Sequence, residues 1–309
     1  MKKIYFITLL LLFVTNNLYA KNKIFISVII NNIPITNIDI LEEANYLVAL
    51  NPNIKNLSKK EIISIAKDSL IKEKIKEQEL KKHFDLKKEN KLVENILKTI
   101  YTNLKLNNRQ ELVNYLFQFD IGIKSLIYKI NIEARWNELI YKKYSKKFEI
   151  DYEKIKKNIN SQNNELIDIY LLSEILFNVE NKSDLEKFYN KIKSNIERNN
   201  FSSAAKIYSL SNTANSGGKV GWISKKNLSD NIKKQIENLK INQISKPIGV
   251  PGGYLILKIE DKKKEKTKVK DFKKEFDRLS DIERNRKLNQ FSIIHFSKVK
   301  KNIEIIYEP

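Results

Sequence analysis

The 309-residue chain carries 58 Lys and Arg against 37 Asp and Glu, a formal charge of +21, and no cysteine. The lack of thiols excludes disulfides, thiolate metal sites, a cysteine nucleophile and a lipid-modified N-terminal cysteine. Two histidines, His83 and His295, make a poor basis for a metal centre, so both are read as ordinary helical residues and no metal or cofactor is expected.

Residues 1–20 read as a secretion signal. Lys2 and Lys3 form a basic start, residues 4–14 are apolar apart from Thr8, and Leu18-Tyr19-Ala20 ends on the small residue of a cleavage site. The apolar run is too short for a bilayer span, which takes about 20 residues, so no integral membrane segment is expected in the mature chain. That chain is long enough for two domains. Its basic residues are scattered among many Asn and Ile. A positive surface attracts nucleic acid or anionic lipid. Lys, Asn and Ile also share A/T-rich codons, however, and codon drift explains all three together. Export argues against a nucleic-acid partner.

Residues 24–30 are β-branched and aromatic, and Asn31-Asn32 before Ile33-Pro34-Ile35 suits a tight hairpin turn. Helical spacing starts after Thr36, with Asp39 near the first turn, and Asn51-Pro52-Asn53 stops it. Ser58 and Glu61 make a capping box that opens a helix running to about residue 84. Further helices are expected over 88–106, 109–119 and 123–148, giving a helical domain with a small β element at its start. The pattern then alternates as a strand over 167–177. Helices follow from 183 and over 201–208, then a strand at 220–223, a helix at 228–239 and strands at 244–248 and 254–260. This order makes a compact α+β domain. A charged linker at 262–270 leads to a long amphipathic helix over 272–296 and a short strand at 303–307. A terminal strand needs a partner edge, which residues 24–30 can supply. The α+β domain would then be inserted between the two ends of one domain.

Six of the seven glycines fall between 217 and 253, in the groups Gly217-Gly218-Lys219-Val220-Gly221-Trp222 and Gly249-Val250-Pro251-Gly252-Gly253. Glycine reaches positive φ without steric cost and lets two backbones approach closely, so this stretch has tightly specified geometry. With Leu172-Ser173-Glu174-Ile175-Leu176, the 201–209 helix, Ile244-Ser245-Lys246-Pro247-Ile248 and Gly253-Tyr254-Leu255-Ile256-Leu257-Lys258, these groups resemble the parvulin family of peptidyl-prolyl isomerases over residues 165–262. The flanks, with Val28-Ile29-Ile30-Asn31-Asn32, Ile33-Pro34-Ile35-Thr36 and the capped helices, resemble the SurA-like periplasmic chaperones. The resemblance implies four parts: a signal at 1–20, a helical chaperone domain at 21–164, one parvulin domain at 165–262, and a C-terminal helix and strand at 263–309 packing on the N-terminal domain. The fold class expected is α+β.

The same resemblance assigns roles. Val220, Leu228 and Ile232 fall where parvulins place the apolar side chains of the proline pocket, and all three are aliphatic. Active parvulins usually place a His in the first strand, a Cys or Asp before the glycine pair and a His in the last strand. Here those positions hold Glu174, Ser211 (or Leu210, since the gap is ambiguous) and Leu255. The polar network that tunes an isomerase is therefore expected to be degenerate. The implied protein is a periplasmic chaperone of unfolded outer-membrane and other secreted polypeptides, with weak or lost isomerase activity. The alternative is a working prolyl isomerase in which Glu174 and Ser211 do the polar work.

Overall fold

The computed structural model describes residues 24–160, 166–179, 181–266 and 271–308; the expected signal lies outside them. Strands β1 (Ile26–Ile30) and β2 (Ile33–Thr36) form a hairpin. Its turn residues Asn31 and Asn32 sit at φ of 43° and 68°, the left-handed pair that a two-residue hairpin turn requires. The terminal strand β7 (Ile305–Tyr307) pairs antiparallel with β1, placing Val28 opposite Tyr307 and Ile30 opposite Ile305.

Helix α1 (Asn37–Leu50) is opened by Thr36 and Asp39, and α2 (Lys59–Leu80) by Ser58 and Glu61, each as a reciprocal capping box. The apolar face of the small sheet, Val28, Ile30 and Ile35, packs on Ile40 and Ala44 of α1 and Ala66, Leu70 and Ile75 of α2. A second core gathers Leu97 of α3 (Val93–Asn103), Leu112 and Leu116 of α4 (Arg109–Phe117) and Leu126 of α5 (Ile123–Tyr144). Helix α3 begins later than the expected residue 88. Buried Asn131 of α5 takes the Leu86 and Lys88 carbonyls and the Asn90 amide, which holds that stretch in turns. A further helix, α6 (Tyr152–Asn160), burying Ile159, was not expected.

The second sheet has strand order β4-β3-β6-β5, built from β3 (Leu166–Phe177), β4 (Lys219–Ser224), β5 (Ile248–Val250) and β6 (Gly253–Lys266), with every pair antiparallel. Helices α7 (Leu185–Arg198) and α8 (Phe201–Tyr208) cover one face, where Ile192, Phe201, Ala204 and Ala205 pack on Ile175, Phe177 and Ile256. The other face carries Leu172, Leu176, Leu255 and Leu257 beneath the short helix α9 (Asp230–Ile236).

Three boundaries differ from expectation. Residues 262–266 are strand rather than linker, because β3 begins at Leu166 and its backbone groups need the β6 extension ending at Lys266 as partner. Ile244 makes an isolated bridge to Lys258, and the strand proper starts at Ile248. Between them Ser245 bonds Leu257 through both its backbone and its hydroxyl, and Pro247 has no N–H to give a ladder. Helix α9 is shorter than 228–239, because Leu228 and Ser229 both have extended dihedrals, Ser229 standing at the N-cap position.

The C-terminal helix α10 (Phe272–Lys300) joins the two halves. Leu288, Phe291 and Phe296 pack on Trp136, Leu139 and Ile140, and Trp136 Nε1 donates to Ser292 Oγ at 2.8 Å. His295, buried on this helix, lies 3.0 Å from the Tyr144 hydroxyl and 3.4 Å from Glu79 Oε1, an atom that His83 also faces. Burial pushes the His295 pKa below 6.5, with Lys143 adding to the effect and Glu79 opposing it. The unfolded chain therefore takes up this proton first. Stability attached to His295 is complete above about pH 6.5 and is lost as pH falls towards the lowered folded value. The thermal midpoint is expected to fall more steeply between pH 7 and 5.5 in the wild type than in His295→Gln. Parallel curves would rule this out.

Candidate functional site: the polar cluster and the apolar pocket

The two-residue period of β3 puts Glu174 on the same face as Leu172 and Leu176. Its amide donates to the Gly218 carbonyl at 2.7 Å, which brings the first glycine turn against the strand. The loop after α8 turns Ser211 and Thr213 towards the carboxyl group. Ser211 Oγ donates to Glu174 Oε1 at 2.7 Å, and Thr213 Oγ1 lies 3.0 Å from both that oxygen and Ser211 Oγ. Burial raises the Glu174 pKa above the ordinary carboxylate value, against the two hydroxyl hydrogen bonds. Glu174 thus holds a proton more readily than a surface carboxylate.

The fourth member comes from the far end of the chain. Asn289 of α10 donates Nδ2 to Ser211 Oγ at 3.0 Å and to Asn212 Oδ1 at 3.1 Å, and its Oδ1 accepts from the Asn212 amide at 3.2 Å. Ser211, rather than Leu210, meets Glu174. Leu210 packs into the neighbouring apolar cluster.

That cluster contains Val220, Leu228 and Ile232 together with Leu255, which pairs across the sheet with Leu176. The sequence-derived site residues therefore form two adjoining groups, a polar pair at Glu174 and Ser211 and an aliphatic group that includes Leu255. A cavity of about 580 Å3 opens beside them, lined by Val220, Gly221 and Trp222 of β4 and by Glu275, Arg278 and Ile282 of α10. Sequence reasoning missed Thr213 and Asn289. The alternation Ser209, Ser211, Thr213 in a non-helical stretch is a signal that would have found Thr213. No local pattern marks Asn289.

An apolar floor of this kind can hold a proline ring. The Ser211 and Thr213 hydroxyls beside it are hydrogen-bonded within the cluster, and Leu255 carries no polar hydrogen.

The family description "PPIC-type PPIASE domain" (Rotamase) matches residues 175–261. This stretch is a parvulin domain. The chain is 33% identical over 63 residues to the chaperone SurA of Pseudomonas putida, covering 20% of this chain and 15% of that protein. It is 31% identical over 84 residues to the foldase protein PrsA of Geobacillus kaustophilus, covering 26% and 30%. The matches thus span less than a third of the curated relatives' lengths. A SurA-like chaperone structure from Campylobacter jejuni superposes with a TM-score of 0.31 at 14% identity, over 92% of this chain and 98% of that one. Around the parvulin domain, no helix among the described residues is long and apolar enough to cross a membrane, and no cluster of His, Cys, Asp or Glu there could hold a metal ion.

Proposed function

We propose that this chain is a periplasmic folding chaperone for unfolded polypeptides, outer-membrane proteins among them, and that its parvulin domain isomerises X–Pro bonds weakly or not at all. Residues 1–20 would export it. Residues 21–164 and 263–309 would act together as the client-binding body, with the parvulin domain at 165–262 inserted between them. The observation that carries the reading is the closed polar cluster of Glu174, Ser211 and Thr213 beside an intact aliphatic pocket.

Rotation about a peptide bond has a barrier of about 18–20 kcal/mol, and uncatalysed X–Pro isomerisation takes tens to hundreds of seconds. An isomerase lowers that barrier by seating the proline ring and stabilising the twisted imide, whose nitrogen has lost its resonance. The pocket supplies the first of these. For the second, Ser211 already donates to Glu174, and Leu255 has no polar hydrogen. Binding without efficient turnover suits a holding chaperone.

Client binding has further support at β7, the outer strand of its sheet. Ile306 and Tyr307 on that strand, and Ile24, Phe25 and Ile26 at the start of β1, are exposed apolar side chains. An unpaired strand edge is a template for an extended polypeptide. The choice of outer-membrane proteins as clients comes from the resemblance to SurA-like chaperones, not from any single residue.

A working isomerase is the second reading, favoured by the contact between Glu174 and Ser211 and by the raised Glu174 pKa. The chaperone reading is tested by diluting a urea-unfolded outer-membrane barrel into the purified mature chain and following light scattering. Suppression near equimolar chaperone is expected. Unchanged aggregation at stoichiometric excess would sink the reading.

A further inference from the structure

Helix α10 presents two apolar faces. One, with Leu288, Phe291 and Phe296, belongs to the helical domain. On the other side Ile282 and Ile293 pack into the cluster that holds Val220, Leu228, Ile232 and Leu255. Asn289, seven residues after Ile282 and four before Ile293, lies on the same helical stripe. It makes the three hydrogen bonds to Ser211 and Asn212 described above. Arg278, one turn before Ile282, donates to the Trp222 carbonyl at 3.1 Å. The turn at Gly252 comes so close that a Cβ there would lie 3.1 Å from the Gln290 carbonyl oxygen.

We propose that α10 occupies the prolyl-binding face of the parvulin domain, so that α10 and a prolyl segment of a client compete for one surface. This rests on reading Val220, Leu228 and Ile232 as the proline pocket. Ile282 and Ile293 fill the apolar part of that face, and Asn289 takes the hydroxyl of Ser211 in the polar part. The cavity between β4 and α10, with Val220 on its wall, is where a client segment first gains entry. Seating a proline ring deeper requires Ile282 to leave.

The helical domain keeps α10 when this happens, because Trp136 packs on its far face and β7, which follows it, pairs with β1. The parvulin domain is therefore the part that swings away. Its other side is held by Asn51 Nδ2 donating to Ser203 Oγ at 3.0 Å, by Lys206 Nζ donating to the Leu50 carbonyl at 3.4 Å, by Ile207 packed on the cluster of Ile54, Leu57 and Ile65, and by the ion pair of Arg198 with Glu61 at 2.6 Å, all of which part in the swing. That ion pair is substantially exposed, so it contributes little and weakens with salt. The apparent affinity for a prolyl segment is then the intrinsic affinity reduced by the fraction of molecules in which α10 has left.

The full mature chain with Asn212→Cys and Asn289→Cys tests this. There are no other thiols, so oxidation makes one defined crosslink between α10 and the parvulin loop. The probe is a fluorescein-labelled Ala-Leu-Pro-Phe peptide, with Ala-Leu-Ala-Phe as control, read by anisotropy before and after reductant on the same sample. The oxidised form is expected to bind the proline peptide at least about tenfold more weakly than the reduced form, and Ile282→Ser to bind it more tightly than the wild type. Equal binding by oxidised and reduced forms, or unchanged affinity in Ile282→Ser, overturns the competition while leaving the pocket assignment standing. Binding by no form, Ile282→Ser included, refutes the pocket assignment itself and the competition with it.

Discussion

Gly218→Ala is expected to destabilise the parvulin domain by about 3 kcal/mol or more, enough to displace its unfolding transition well below that of the wild type. Two costs combine. Gly218 has φ of +79°, where a side chain is strained, and a Cβ there would collide with the Glu174 carbonyl oxygen and crowd the Ala205 methyl. Neither neighbour can yield easily, since the first is strand backbone and the second belongs to buried α8. Gly221→Ala separates the two costs. Its φ is +103°, but nothing lies within 4 Å of the added methyl, so backbone strain alone should remove about 1–2 kcal/mol. Urea unfolding of the two variants measures the difference. Equal losses would mean that the approach of the glycine turn to β3 is not what fixes Gly218.

Trp136→Ala is the second large effect, at about 3–5 kcal/mol. Trp136 is 1% exposed, packs on Phe296 and His295, and ties α5 to α10 through Ser292. Truncation leaves a cavity among Leu80, Ile132, Leu139 and Ile140 and strands the Ser292 hydroxyl. Because α10 also touches the parvulin domain, both halves of the molecule should unfold at lower urea. Trp136→Phe, which keeps most of the volume and loses the hydrogen bond, should cost much less. A loss under about 1 kcal/mol in Trp136→Ala would show that α10 is not anchored there.

Much of the architecture could be read from local chemistry. The Asn31-Asn32 turn, the helix start after Thr36, the capping box at Ser58 and the two glycine groups each declare themselves within a few residues. Val220, Leu228 and Ile232 were singled out by the family resemblance and not by any local pattern; they lie on a strand, a loop and a helix, and only the fold gathers them with Leu255 in one apolar cluster. What escaped depends on distant partners. Lys262–Lys264 look like a linker because both faces of that end of β6 are exposed, and strand structure there is dictated by β3. The late start of α3 is dictated by Asn131 on another helix. Asn289 reaches Ser211 across 78 residues, from a helix whose polar face looks like any solvated one.

The most direct test measures isomerisation and aggregation suppression on one preparation of the mature chain. A parvulin scaffold that binds without turning over predicts suppression of barrel-protein aggregation near equimolar chaperone. It also predicts cis-to-trans relaxation of an Ala-Leu-Pro-Phe substrate at the uncatalysed rate of tens to hundreds of seconds, unchanged by Glu174→Gln. Relaxation accelerated in proportion to wild-type protein and abolished by Glu174→Gln would contradict it, and would make Glu174 part of a working isomerase.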